Sequence, residues 1–127
     1  MVYGLYTIKD RKILWETLAM LARSMKGPWL VGGDFNCPLN SADRCGSRPI
    51  TDYETADFKK CCLVAQLTDL PATGCFHTFL GHKVKCKLDR AMINAEGLAA
   101  GHLITANFLP PGSTSDHSPY ILSLIHI

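Results

Sequence analysis

Hydrophobic residues recur with helical spacing in the first quarter of the chain. Thr7 can cap a helix that runs to about Met25, and Gly27-Pro28 would end it. The apolar side chains at positions i, i+4, i+7 and i+11 would form one face of this helix: Leu14, Leu18, Leu21 and Met25.

A second helix is predicted from its capping signal. Thr51 is followed three residues later by Glu54, the spacing of a capping box. We expect the helix behind it to stop near Leu67. Its apolar positions would be Phe58, Cys61, Cys62 and Ala65.

Shorter apolar stretches predict β-strands around these helices. Residues 3–6 are typical of the end of a strand, and residues 29–31 of a buried strand that Gly32-Gly33 would break. Residues 36–50 are typical of a loop. Further strands are predicted at residues 74–79 and 84–93, joined by a turn at Gly81, and at 102–109 and 120–124, with a helical turn after Asn94. Helices that alternate with β-rich stretches indicate a mixed α/β layered fold.

Composition limits the class of protein. The chain has 127 residues, 47% of them hydrophobic, which suits one domain or part of one and excludes disorder. No apolar run approaches the ~20 residues of a membrane span, and no signal peptide is evident. We therefore expect a nuclear or cytoplasmic protein that is neither secreted nor membrane-bound, with its six cysteines reduced. The net charge of +2 neither establishes nor excludes nucleic-acid binding.

Two short motifs carry candidate chemistry. Asp34 and Asn36 follow the strand at 29–31, and in extended backbone their side chains would point the same way. A carboxylate beside a carboxamide can polarise a water and hold a phosphate oxygen, although Gly, Asp and Asn are also ordinary turn residues. Asp116 and His117 lie in a loop. The carboxylate of Asp116 could bind a metal or shift the pKa of the His117 imidazole, and the alternative is an ordinary polar turn.

A third candidate is the carboxylate of Asp89, which lies within an apolar stretch. A buried carboxylate needs a partner. Arg90 would lie on the opposite strand face, so a distant group such as His117 is the better candidate. The alternative is an exposed charge at a sheet edge.

In this order and spacing, the motifs resemble the endonuclease/exonuclease/phosphatase superfamily, which includes DNase I-like and apurinic endonucleases. The resemblance rests on Gly33-Asp34-Phe35-Asn36, Leu88-Asp89-Arg90 and Ser115-Asp116-His117-Ser118. The flanks at residues 2–4, 11–15, 27–31 and 108–112 look most similar to the reverse-transcriptase-associated endonucleases of plant LINE-type (non-LTR) retrotransposons.

The resemblance implies a role for each candidate residue. Asp34 matches the aspartate that activates the attacking water, and Asn36 matches the asparagine that positions the substrate phosphate. Asp89 matches the carboxylate that orients the catalytic histidine, here His117. In addition, Tyr3 matches a tyrosine near the phosphate.

The resemblance also implies a fold, a cofactor and a partner. The fold would be a partial two-layer β-sandwich flanked by helices, with residues 1–127 as the C-terminal portion of a single domain whose N-terminal half is missing. Asp116 matches a carboxylate at a Mg²⁺ (or Mn²⁺) site, and the partner would be nucleic acid, with DNA favoured. Because the family's main metal-binding glutamate would precede Met1, we expect impaired metal binding and weak phosphodiester hydrolysis. We also expect the strands at 29–31 and 88–93 to expose unpaired backbone groups.

Two alternatives remain open from the sequence. One is a zinc-binding module with two thiolate and two imidazole ligands: Cys75, His77, His82 and Cys86. The other is a non-catalytic remnant that binds nucleic acid or a partner, for which a local basic cluster could contact phosphates: Lys83, Lys85, Lys87 and Arg90.

Overall fold

The computed structural model of the chain describes residues 1–112 and 115–126. The helices within these residues are α1 (Ile8–Ser24), α2 (Asp52–Ala65) and α3 (Ala95–Ala99), and a 3₁₀ turn spans Ser41–Asp43. The strands are β1 (Val2–Tyr3), β2 (Leu30–Asp34), β3 (Arg44–Cys45), β4 (Leu67–Asp69), β5 (Ala72–Gly74), β6 (Phe79–Leu80), β7 (Lys85–Cys86), β8 (Asp89–Asn94), β9 (His102–Phe108) and β10 (Tyr120–His126). None of the described helices is long and apolar enough to cross a bilayer.

Both long helices begin at the predicted caps. The Thr7 hydroxyl accepts a hydrogen bond from the backbone N–H of Asp10 at the start of α1. Thr51 and Glu54 form the reciprocal capping box at the start of α2. These bonds satisfy backbone donors that a helix start would otherwise leave unpaired, so the two helix starts are confirmed.

The strands form a layered structure. A central sheet has the order β1-β2-β8-β4, in which β1 and β2 are parallel and the other pairs are antiparallel. A second sheet has the order β10-β9-β5, and a small third sheet has the order β3-β7-β6. One face of the central sheet carries α1 and α2, and the other carries the second sheet.

Two apolar cores hold these layers together. Between the helices and the central sheet, the ring of Phe58 stacks on Trp15 and Phe35, with centroid distances of 4.5 and 5.1 Å. Between the two sheets, Ile93 packs with Phe108 and their small neighbours. This arrangement of packed sheets and helices confirms the predicted mixed α/β fold class.

The glycine pair does not break the strand that precedes it. β2 continues through Gly32 and Gly33 to Asp34, contrary to the sequence-based expectation. Gly33 adopts a positive φ of 140°, and a Cβ there would lie 2.1 Å from the carbonyl oxygen of Val2. The glycine therefore permits the close approach of β1, which a larger residue would prevent.

The two long strands predicted at 74–79 and 84–93 are broken into shorter pieces. Thr78 lies between β5 and β6 and is fully buried. Its hydroxyl accepts hydrogen bonds from the backbone N–H groups of Leu88 and Asp89. A side chain thus replaces a strand partner where the chain passes from the third sheet into β8. Local propensity could not indicate such a long-range bond.

The expected unpaired edges are confirmed in part. β8 pairs with both β2 and β4 at Met92 and Ile93, so these residues have partners on both sides. β1 pairs only with Gly33 and Asp34 of β2, so among the described residues the side of Leu30 and Val31 that faces away from β8 has no ladder partner. In the described part of the chain, β10 is one edge of the second sheet and pairs with β9 alone, and the short strand β5 is the other edge.

Candidate active site

Two carboxylates face each other at the end of the central sheet. Asp34 is the last residue of β2 and Asp89 the first of β8, and the antiparallel register sets them directly opposite one another. Like charges in this arrangement repel, so the pair costs stability unless another group compensates. Asp89 is buried and Asp34 is half-buried.

The compensating group is the imidazole of His117. Its Nδ1 lies 2.6 Å from Oδ2 of Asp89, and its Nε2 lies 3.7 Å from Oδ2 of Asp34. Because an ionised carboxylate only accepts hydrogen bonds, Nδ1 carries the proton in this contact. Asp89 therefore fixes the ring orientation and leaves Nε2 directed towards Asp34.

Two neighbours hold the histidine in place. The backbone of Phe79 forms an isolated antiparallel bridge with His117, and their rings meet at a centroid distance of 5.3 Å. The carbonyl of Thr78 accepts a hydrogen bond from the backbone N–H of Ser118 at 2.6 Å. Since the Thr78 hydroxyl also binds the N–H of Asp89, this one residue positions both halves of the imidazole–carboxylate pair.

The surrounding charges raise the pKa of His117. Burial alone would lower it, but the hydrogen bond and charge of Asp89 outweigh that effect, helped by Asp34 and Asp116. The imidazolium form is thus favoured at higher pH than in a free histidine.

The pKa of Asp34 is raised as well. Burial of its carboxylate is the main cause, and the negative charges of Asp89 and Asp116 act in the same direction. The hydrogen bond from the backbone N–H of Asn36 and the charge of His117 act against the shift without cancelling it. A carboxylate with a raised pKa is a better proton acceptor than one on the surface.

Asn36 is next to this group but is oriented differently from the sequence-based expectation. The expectation assumed extended backbone, whereas Asn36 adopts a left-handed φ of 51°. Its backbone N–H bonds the Asp34 carboxylate at 2.8 Å, and its side-chain amide donates to the carbonyl of Gly4 at 3.3 Å. Because the strand ends at Asp34, the rule that side chains two residues apart share a strand face does not apply to Asp34 and Asn36.

Tyr3 and Asp116 lie at the periphery. The backbone of Tyr3 pairs with Asp34 in the parallel β1–β2 ladder, while its side chain is exposed. The Tyr6 hydroxyl, together with the charge of Asp34, raises the pKa of Tyr3. Asp116 is exposed and close enough for its charge to act on both Asp34 and His117.

Among the described residues, one set of side chains has the spacing of a metal site. The ligand atoms of Asp34, Asp89 and His117 all lie within 4.8 Å of one another. Asp116, the expected metal ligand, is outside that set. The four residues of the zinc alternative form no such set in the described part of the chain, and the imidazole of His77 instead contacts the carbonyl of Ala42 at 3.0 Å.

The basic cluster considered for phosphate binding is wrong for two of its four members. Arg90 is fully buried and ion-pairs with Asp43 and Asp69. Lys87 is buried against the rings of Phe76 and Phe108.

The sequence reasoning missed Thr78 and the Arg90–Asp43 ion pair. Asp43 also accepts hydrogen bonds from the backbone N–H groups of Leu39 and Asn40, so Arg90 ties the loop after Asn36 to the central sheet. An arginine within an apolar stretch was the available signal, because a buried guanidinium requires acidic partners.

Comparison with known proteins gives the context for this geometry. The Endonuclease/Exonuclease/phosphatase family matches residues 2–117, which cover most of the chain. A search of curated proteins finds no significant match. The chain therefore belongs to the endonuclease/exonuclease/phosphatase family, whose members hydrolyse phosphodiester or phosphate bonds and generally use divalent metal ions.

Proposed function

From this family membership, we propose that the chain hydrolyses phosphodiester bonds in nucleic acid, with DNA as the favoured substrate. The observation that supports the proposal best is the position of the His117 imidazole between two carboxylates. Nδ1 is held by Asp89 at 2.6 Å, and Nε2 faces Asp34 at 3.7 Å. Such an imidazole is oriented by one neighbour and free to exchange a proton on its other side.

The residues of the site have different proposed roles in this reaction. Asp34, with its raised pKa, accepts a proton from the attacking water as the new P–O bond forms. His117, favoured as an imidazolium, donates from Nε2 to the phosphate oxygen that gains charge as the old P–O bond breaks. Asp89 is a positioning residue that holds the ring and its protonation state. Asn36 and Tyr3 are proposed to contact the substrate phosphate.

The donor set is compatible with a hard divalent cation. Asp34 is a half-buried carboxylate with other negative charges close by, and this combination raises its pKa. A cation there would relieve the repulsion, and Mg²⁺ in proteins is commonly held by one or two carboxylates, waters and a substrate phosphate. We propose Asp116, which lies beside Asp34, as the metal ligand, while Asp34 stays uncoordinated as the proton acceptor. When bound, Mg²⁺ or Mn²⁺ would neutralise phosphate charge and lower the pKa of a bound water.

We expect this metal binding to be weak and the turnover slow. Asp89 is committed to His117 and Asp34 is assigned to the proton transfer, so Asp116 is the carboxylate that remains for a cation. None of the glutamates lies in the set with metal-site spacing, and Glu54 instead pairs with Arg44. A hard cation gains affinity with each added oxygen ligand, so millimolar metal should be needed.

Nicking of supercoiled plasmid DNA tests the proposal. We expect slow nicking in 10 mM Mg²⁺ or Mn²⁺, none in EDTA, and a loss of about 10²- to 10⁴-fold in His117→Ala. His82→Ala is the matched control, because His82 is exposed and outside the site, and it should nick like the wild type. Nicking that survives His117→Ala would contradict the proposed role of this residue.

A second candidate function is non-catalytic binding of nucleic acid. It is favoured by the small number of uncommitted carboxylates at the site. The same preparation distinguishes the two: tight binding of duplex DNA without nicking at 10 mM Mn²⁺ would support binding alone.

We further propose that the chain is of the kind associated with reverse transcriptases in plant LINE-type elements. The support is the likeness of the flanking segments at residues 2–4, 27–31 and 108–112. Sequencing the genomic locus tests this, because a reverse-transcriptase reading frame downstream is expected. The upstream sequence would also test whether residues 1–127 are the C-terminal portion of one longer domain.

A further inference from the structure

A cavity of about 420 Å³ opens beside the proposed catalytic group. Asn36 and Leu88 line it, and these residues follow Asp34 and precede Asp89 in the chain. Typical ligand pockets span about 300–1,000 Å³, so the cavity can hold a nucleotide-sized group. The backbone N–H of Asn36 bonds the Asp34 carboxylate at 2.8 Å, so one residue of the cavity wall touches the catalytic group.

The charge of the cavity is opposite to that of the catalytic group. Its walls contain three arginines (Arg11, Arg44 and Arg48) and one glutamate (Glu54), which gives a formal charge of +2. The catalytic group instead concentrates carboxylates around a single imidazole. Guanidinium groups bind phosphate well, because their planar donors match its oxygens.

The three arginines differ in how fully they are already bonded. Arg44 is committed to Glu54 at 2.8 Å, and this bond holds the pKa of Glu54 at about 2. Arg11 is buried, and it donates to the carbonyls of Leu5 and Tyr6 while its Nε has no partner among the described residues.

Arg48 has the most remaining capacity. Its side chain is 76% exposed, and its guanidinium is 3.6 Å from Glu54, which is beyond hydrogen-bond distance. An anion could therefore recruit Arg48 without first breaking a buried ion pair.

We infer that this cavity is a second phosphate subsite, which takes the phosphate next to the scissile one on a nucleic-acid strand, with Arg48 as its principal contact. The inference rests on the proposed function, since it assumes that the scissile phosphate lies at His117. It favours a polynucleotide over a simple phosphate ester as the substrate, because a second phosphate uses the charge of the cavity.

Binding to duplex DNA tests the subsite without relying on turnover. The probe is a fluorescein-labelled 16-base-pair DNA in Mg²⁺ buffer, titrated with His117→Ala protein at several salt concentrations so that cleavage does not interfere. Adding Arg48→Ala should weaken binding and lower the slope of log K against log salt by about 1, the effect of losing one phosphate contact. Arg48→Lys, which keeps the charge, should retain most of that slope.

Arg23→Ala is the control, because Arg23 is exposed at the end of α1 and outside the cavity. If Arg48→Ala and Arg23→Ala bind equally well and with the same salt slope, the subsite is wrong. Hydrolysis of bis(p-nitrophenyl) phosphate separates this failure from failure of the proposed function, because that substrate has no second phosphate. With this small diester, Arg48→Ala should match the otherwise wild-type protein, whereas Asp34→Asn, which lacks the proposed proton acceptor for the attacking water, should lose activity.

Discussion

Among single residues, the main electrostatic feature is the pairing of two carboxylates, Asp34 and Asp89, directly opposite each other on β2 and β8. Two carboxylates in direct register disfavour folding, and a stability-driven sequence would avoid them. Their cost is offset in part by the ring of His117, which touches Asp89, faces Asp34 and carries a positive charge when protonated. Sites where local stability is sacrificed are frequently functional, which is consistent with the proposed role of this group.

The raised pKa of His117 gives a pH dependence whose sign is defined. The folded protein holds the imidazolium more tightly than the unfolded chain, so this stabilisation is complete below the ordinary histidine pKa of about 6.5. It is lost as the pH rises through the raised value in the folded state. We predict that the stability advantage of the wild type over Asp89→Asn falls as the pH increases from 5.5 to 9.

Urea denaturation in EDTA buffer across this pH range measures that advantage, and NMR of the imidazole protons gives the pKa of His117 directly. In Asp89→Asn the pKa should move down, because the carboxylate that raises it is gone. A constant difference in unfolding free energy across the range, with an unmoved pKa, would contradict the account.

Among the elements, strand β10 combines an open sheet edge with exposed apolar side chains. It lies at the edge of the second sheet, and Tyr120–His126 contains no Lys, Arg, Asp or Glu. Ile121, Leu122 and Leu124 are all exposed, although Leu122 is opposite the buried Ala106. An uncharged apolar edge of this length pairs readily with another chain.

We therefore predict that the protein associates at micromolar concentration through β10. Leu124→Lys places a charge on the edge strand and should shift the population towards monomer in sedimentation velocity. Leu63→Lys is the matched control, because Leu63 is exposed on helix α2 and does not belong to the second sheet, and it should leave association through β10 unchanged. A wild-type protein that stays monomeric at 100 µM would contradict this prediction.

At the scale of the whole molecule, the sequence predicted local features better than distant ones. The starts of α1 and α2 followed from Thr7 and Thr51, because caps are determined by residues three positions apart. The fold class followed from the resemblance carried by three short motifs. The interruption at Thr78 did not, because its hydroxyl bonds backbone groups ten and eleven residues away.

The candidate site was predictable to a similar extent. Its residue types stood out in the sequence, yet periodicity alone gave the wrong backbone for Asn36, which leaves the strand in a left-handed conformation. The burial of Arg90 depends on Asp43 and Asp69, which reach it from separate parts of the chain. Such convergence is a property of the assembled layers, and no local pattern encodes it.

Chemical rescue of His117→Ala tests the proposed role of His117, because added imidazole can replace the missing ring as the proton donor. The measurement is nicking of supercoiled plasmid DNA, whose alkoxide leaving group requires a proton, by His117→Ala in 10 mM Mn²⁺, with and without added imidazole. We expect a loss of about 10²- to 10⁴-fold relative to wild type, with a partial recovery that rises with imidazole concentration and is absent when Asp34→Asn is added. A His117→Ala protein that nicks the plasmid at the wild-type rate would contradict this role.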